Sequence, residues 1–315
     1  DWTRQQPDAN VVTILDGIRE IAGSAKVNYY NYGDDVRQNS MDKVNEAAAI
    51  AKKSDLAIVV VGENPLRYQK SKTCGENIDR MGLDLLGTQN QLVQKIHDTG
   101  VPTIVVLVGG RPLSVNWIAQ NVQALVQAWE PGSLGGRALA NILAGKVNPS
   151  AKLPISIPRH SGQIQMIYNH KPSQYFHKYI DGPSTPLYPF GFGLSYTRFA
   201  YSSLKLSHTR ISDKDSFTAS IELTNVGDRE GTEVVQLYIR DIYSSATRPV
   251  KELKDFARVT LKPGEKKTVT FTVTPDKLAY WNRNMQYGVE KGEFEIMIGS
   301  SSQDKDLKKV KMEVL

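Results

Sequence analysis

Apolar positions in the first half of the chain follow two alternating periods. In VVTILDGIREIAG, Ile14, Leu15, Ile18 and Ile21 recur at helical spacing, and Gly23 supplies a stop. A short extended run over 25–32 follows, then an alanine-rich helix over 41–53 and a near-continuous apolar strand over 56–61. The rhythm continues with a helix over 88–98, strands over 103–108 and 124–129, and a helix over 134–144. Strands this uniformly apolar, separated by helices, predict a mostly parallel sheet covered on both faces, an α/β three-layer sandwich. Ligands of such sheets sit beyond the carboxyl ends of the strands, so the loops after Val61, Val108 and Trp129 are where chemistry is expected.

Between residues 154 and 196 the periodicity disappears. Prolines at 154, 158, 172, 183, 186 and 189 alternate with aromatics. A segment this long without regular structure is either a linker or a functional connection, and its aromatics argue that it packs on something. After Phe199 the pattern becomes all-β, with extended runs over 199–206, 217–223, 233–239, 253–261, 267–273, 292–298 and 308–314. Turn signals such as Asn225-Val226-Gly227 and Lys262-Pro263-Gly264 separate them, and in TVTFTVT the side chains of Val269, Phe271 and Val273 share one face. Seven such runs predict an all-β sandwich of the fibronectin type III or immunoglobulin kind. The expected organisation is an α/β sandwich over 1–160, an irregular connecting segment over 161–198 and a fibronectin type III-like domain over 199–315.

Composition narrows the function classes. With 40% hydrophobic and 23% charged residues the chain reads as an ordinary globular protein, neither disordered nor fibrous. The net charge of +6 raises the question of a nucleic-acid partner, but the basic residues are scattered and their densest pairs, Lys266-Lys267 and Lys308-Lys309, fall in strand-like segments, so solvated surface charge is the reading. No apolar run approaches the length that membrane insertion needs. The opening DWTRQQPDAN lacks the basic start and apolar core of a signal peptide and reads as a chain entered part-way. A single cysteine, Cys74, allows no internal disulfide. The five histidines show no metal spacing, no serine has a nucleophile-elbow context, and no glycine-rich segment completes a dinucleotide or phosphate fingerprint. No cofactor or metal is expected.

The loop after the strand over 56–61, GENPLRYQKSKTCGENIDRMGLDLLGTQNQL, is far longer than a strand-to-helix connection needs and carries Glu63, Arg67, Lys70, Lys72, Glu76, Asp79 and Arg80. A carboxyl group on such a loop could protonate a leaving group if burial or a second carboxylate raised its pKa. The same charges could instead form ion pairs that brace the loop.

Three segments together resemble glycoside hydrolase family 3, the β-glucosidase and β-xylosidase family. TCGENIDRMGLDLLGTQNQL is similar to its acid/base segment. QAWEPGSLGGRALANILAGKVNPSAKLPISIPRHSGQIQMIYNHKPS resembles its W-x-P-G to L-P block, and PLYPFGFGLSYTRFAYSSL resembles its entry into the fibronectin-like domain. The resemblance implies a retaining exo-β-glycosidase acting on terminal β-linked sugars, whose aspartate nucleophile lies in an N-terminal barrel domain that this chain does not contain. It puts the general acid/base at Glu76, with Glu63 as a second candidate; Asp79 and Arg80 are expected to brace the loop, and Arg67 and Lys72 to reach a sugar hydroxyl. The implied partners are a β-linked oligosaccharide or glycoside and the barrel domain, the implied location is periplasmic or secreted, and the fragment alone is expected to be inactive. The competing reading is a non-catalytic carbohydrate- or protein-binding module.

Overall fold

Thr13 opens the first helix: its hydroxyl accepts from the Asp16 backbone N–H while the Asp16 carboxylate accepts from Thr13, a reciprocal capping box. In this computed structural model, which describes residues 6–65, 70–173 and 178–315, the helix is α1 (Ile14–Ala22), closed by Gly23 at φ 58°. The described residues form two units. One falls within Asp1–Val147 and Pro158–Ile164, the other within Asn148–Ile157 and Gln165–Leu315.

The first unit is the α/β sandwich. After α1 come α2 (Met41–Ala51), β1 (Ala57–Gly62), α3 (Gln89–His97), β2 (Thr103–Val108), α4 (Asn116–Asn121), β3 (Ala124–Trp129) and α5 (Gly135–Leu143). The three strands pair in parallel in the order β1-β2-β3. Helix α3 packs on β1, β2, α2 and α4, while α1 pairs with α5. That second pairing depends on two glycines: a Cβ on Gly17 would lie 2.2 Å from the Gly136 carbonyl oxygen, and one on Gly136 would lie 2.0 Å from that of Thr13.

Two local expectations for this unit differ from the structure. The run over 25–32 forms no strand; its tyrosines are anchored by side chains instead, Tyr30 donating to Glu46 and Tyr32 sharing a hydrogen bond with Thr88. An extended pattern sets backbone dihedrals, but a strand also needs a partner edge. Helix α4 was not expected, because six residues with one fully buried side chain, Ile118, give too little periodicity to read.

The second unit is a β-sandwich, antiparallel except where its last strand pairs in parallel with the short strand at Arg210–Ile211. Strands β4 (Phe199–Tyr201), β5 (Lys205–Leu206), β7 (Phe217–Asn225) and β10 (Lys266–Val273) form one sheet. The other has the order β6-β14-β13-β8-β9, built from β6 (Arg210–Ile211), β8 (Gly231–Asp241), β9 (Glu252–Leu261), β13 (Gly292–Gly299) and β14 (Leu307–Val314). A two-stranded ribbon, β11 (Tyr280–Trp281) with β12 (Tyr287–Gly288), stands apart. The core between the sheets takes the inward residues of both, Val269, Phe271 and Val273 of β10 among them. The expected single run over 199–206 is broken at Ser202, whose hydroxyl takes the Glu222 N–H that a strand carbonyl would otherwise accept. The irregular segment from Gln165 onward belongs to this unit: the ring of Tyr168 stacks on Phe190 at 4.1 Å and meets Tyr238 edge-on, and its hydroxyl accepts from the Leu253 N–H. Tyr175 and Phe176 lie outside the described residues.

Candidate functional site

The long loop leaves β1 through Gly62, whose φ of 146° and approach to Val108 exclude a side chain: a Cβ there would lie 1.8 Å from the Val108 carbonyl oxygen. Gln89, the first residue of α3, fastens both ends of the loop. Its Oε1 accepts from the Gly62 N–H at 2.7 Å, and its Nε2 donates to the carbonyls of Gly62 and Leu86, both at 3.0 Å. The carboxyl end of one parallel strand and the amino end of the following helix are thus tied by a single buried amide.

Inside the loop a short stem forms where the Asn64 N–H donates to Thr73 Oγ1 at 2.9 Å and the Thr73 N–H donates to the Asn64 carbonyl at 2.8 Å. Beyond it the chain reverses through Gly75, Glu76, Asn77 and Ile78, closed by the Ile78 N–H donating to the Gly75 carbonyl at 3.1 Å. Asn77, third in that turn, has φ 62°, the left-handed value that a type II turn requires and that Asn tolerates better than most residues. Glu76 occupies the second corner and is half-buried. Lys72 is buried and donates its ammonium to the Glu76 backbone carbonyl at 2.8 Å, which fixes the turn from within.

Glu63 stands at the start of the loop with its side chain fully buried. Arg80 Nη1 reaches its Oε1 at 2.8 Å; Arg111, from the loop after β2, holds it twice, Nη2 to Oε1 at 2.8 Å and Nε to Oε2 at 3.1 Å. Burial by itself would raise the pKa of Glu63, but the hydrogen bonds and charges of Arg111 and Arg80 outweigh it and hold the carboxyl below its usual range. A carboxylate held ionised by two guanidinium groups is poorly suited to donating a proton. Arg111 also pairs with the exposed Asp79 at 2.7 Å and donates to the carbonyls of Arg80 and Gly82. Two arginines and two carboxylates make a cluster of zero net charge. Cys74 is buried beside it; burial, then the charge and hydrogen bond of Glu63, push its thiol up to about 11, which keeps it protonated and inert.

The structure therefore brings Glu63, Lys72, Glu76, Asp79 and Arg80 into one loop framework, with Glu76 at its turn, Lys72 inside it and Glu63 at its root; Arg67 lies outside the described residues. Arg111 was missed by sequence reasoning. Its only signal was position, next to Gly109-Gly110 at the carboxyl end of β2, where an α/β sheet places its ligand-facing loops.

Comparison with known proteins agrees with this architecture. The family description "Glycosyl hydrolase family 3 C-terminal domain" matches residues 1–196, and "Fibronectin type III-like domain" matches residues 233–302. The chain is 45% identical over 307 residues to a β-xylosidase of Formosa agariphila, covering 96% of this chain and 42% of that protein. It is 41% identical over 269 residues to a periplasmic β-glucosidase of Salmonella typhimurium, covering 82% of this chain and 34% of that protein. Among solved structures, the β-glucosidase of Listeria innocua in complex with glucose superposes with a TM-score of 0.86 at 32% identity, covering 97% of this chain and 42% of that one. The chain thus spans about two fifths of the length of the relatives it matches. Matched over nearly its whole length in sequence and in fold, the chain belongs to glycosyl hydrolase family 3, of which it carries the C-terminal α/β domain followed by the fibronectin type III-like domain.

Proposed function

We propose that the chain supplies the general acid/base, Glu76, to a retaining exo-β-glycosidase acting on terminal β-linked glucose or xylose, and that the aspartate nucleophile comes from a barrel domain outside residues 1–315. In the first step the nucleophile attacks the anomeric carbon, the glycosidic C–O bond breaks, and the Glu76 carboxyl gives its proton to the departing oxygen. In the second, the Glu76 carboxylate takes a proton from water as that water attacks the anomeric carbon and frees the aspartate. The observation that carries this reading is the turn at Gly75–Ile78, which sets one glutamate at the corner of a loop whose root is fixed by buried ion pairs. Glu63 and Lys72 hold the loop in this scheme and do not touch sugar. The relatives named β-xylosidase and β-glucosidase support the substrate class, and the one named periplasmic supports an exported enzyme.

The test is Glu76→Ala in the full-length enzyme. Turnover of an aryl β-glucoside or β-xyloside with a poor leaving group should fall by about 10²–10⁴-fold. Azide should restore turnover on a substrate with a good leaving group and yield a β-glycosyl azide. Unchanged kinetics would remove Glu76 from the mechanism. Residues 1–315 alone should hydrolyse neither substrate.

One observation favours a second reading, carbohydrate binding by the β unit. Trp281 and Tyr287 of the β11–β12 ribbon are exposed, with ring centroids 5.4 Å apart. Their planes are tilted by 52°, so they offer no flat platform for a sugar face, and the catalytic reading is preferred. Calorimetric titration of residues 1–315 with cello- and xylo-oligosaccharides distinguishes the two.

A further inference from the structure

We infer that Arg111 is a positioning residue for the acid/base glutamate: it clasps the two ends of the Glu76 loop to the end of β2 and so sets where the Glu76 carboxyl stands. The inference rests on the assignment of Glu76 above. It comes from the way one guanidinium group divides its donors. On one side Arg111 grips Glu63, the residue with which the loop begins, through Nε and Nη2. On the other it grips the returning limb, Nη1 meeting Asp79 Oδ1 at 2.7 Å and the Arg80 carbonyl at 3.2 Å, and Nη2 the Gly82 carbonyl at 3.3 Å. Outgoing and returning strands of the loop are therefore cross-linked by a side chain belonging to neither.

The arrangement is stiff for two reasons. Glu63 is anchored by its own backbone, its N–H donating to the Val108 carbonyl at 2.9 Å, so the clasp is fixed to the sheet. Arg80 adds a second tie across the same gap, from the returning limb to Glu63, and is itself held by the Asp84 carbonyl. Glu76 lies three residues before Asp79 in a turn closed by the Ile78 N–H to Gly75 carbonyl bond and tied by Lys72, so a shift of the returning limb is passed on to the turn. The planar fork of arginine is what allows one group to serve both limbs; a lysine ammonium keeps the charge but cannot reproduce the geometry.

The experiment compares Arg111→Lys, Asp79→Asn and Glu76→Gln in the full-length enzyme on two aryl β-glycosides, one with a 2,4-dinitrophenyl and one with a 4-methylphenyl leaving group. Misplacing a general acid penalises the poor leaving group, which needs the proton, and largely spares the good one. Arg111→Lys should lower kcat/KM on the methylphenyl substrate by about 10²-fold while leaving the dinitrophenyl substrate much less affected. Asp79→Asn, at a side chain 82% exposed and so safe for folding, should show the same asymmetry at smaller size. Losses equal on both substrates, or no loss, would overturn the inference, since a general structural role lowers active enzyme without regard to the leaving group. If Arg111→Lys does not fold, Asp79→Asn decides alone. Glu76→Gln separates the two layers: asymmetry there without asymmetry in the Arg111 and Asp79 variants refutes the clasp alone, and its absence in Glu76→Gln refutes the acid/base assignment itself.

Discussion

The ammonium of Lys72 donates to the backbone carbonyl of Glu76 across 2.8 Å, from a side chain only 4% exposed. A buried lysine commonly marks either a chemical role or a structural one, and here its donor goes to the main chain of the proposed catalytic residue. Replacing it by methionine keeps the stem but removes this donor. Lys72→Met should cost about 1–3 kcal/mol of stability, seen as a lowered midpoint in denaturant. In the full-length enzyme it should reduce kcat by about 10-fold or more through a displaced turn, with KM little changed. A large KM effect instead would mean that Lys72 contacts sugar.

Cys74 gives a separate test of the ion cluster. With its thiol pushed up to about 11, it should resist a disulfide reagent at pH 8 in the native protein and react once the protein is unfolded. Glu63→Gln removes the carboxylate that contributes to this shift, so the thiol pKa should fall and native-state reactivity rise. The same substitution leaves two arginines facing fewer carboxylates and should destabilise the unit by about 3–5 kcal/mol. Because Glu63 has a depressed pKa in the folded state, its contribution is present above the unfolded value of 4.5 and is lost as pH falls through the lower folded value. Wild type should therefore lose stability below about pH 4 more steeply than Glu63→Gln.

At the crossing of α1 and α5 the prediction is steric. Gly136→Val places branched carbon where a Cβ alone would lie 2.0 Å from the Thr13 carbonyl oxygen, so the helices must separate. A loss of about 3 kcal/mol or more is expected, measurable by thermal unfolding, whereas Gly132→Ala, where the added Cβ meets nothing within 4 Å, costs only what its φ of 74° imposes.

In the β unit, Asp241 is buried at the end of β8, and its Oδ2 has no hydrogen-bond partner among the described residues. Burial raises its pKa to about 6; Arg248 opposes the shift, and Glu290 and Glu252 add to it. A carboxyl whose folded pKa lies above its unfolded value stabilises the fold when protonated, so this contribution is full below about pH 4 and fades as pH rises through about 6. Asp241→Asn mimics the protonated form. It should raise stability at pH 7 by up to about 3 kcal/mol and flatten the profile between pH 4 and 6. A variant with the wild-type pH profile would show that Asp241 is not the group responsible.

Chain chemistry by itself determined most of the elements and carried the family resemblance. Periodicity located β2 and β3 to the residue; for β2 the reason is that a continuous Ile, Val and Leu run fits a covered parallel strand, and alternation located the long strands of the sandwich through one-sided burial. The length and charge of the loop after β1 marked it as a candidate site. Tertiary structure decided what each charge does. The immediate neighbours do not separate Glu63 from Glu76, since both follow a glycine and precede Asn, and only the longer motif around Glu76 sets it apart; one becomes a buried anion because Arg111, 48 positions further along, folds back onto it, and the other becomes the corner of a turn. The run over 25–32 stayed without a partner and α4 appeared unannounced for a related reason. Pairing edges, ion-pair partners and short helices are fixed by residues far apart in the chain, and a local pattern carries no record of which distant group will arrive.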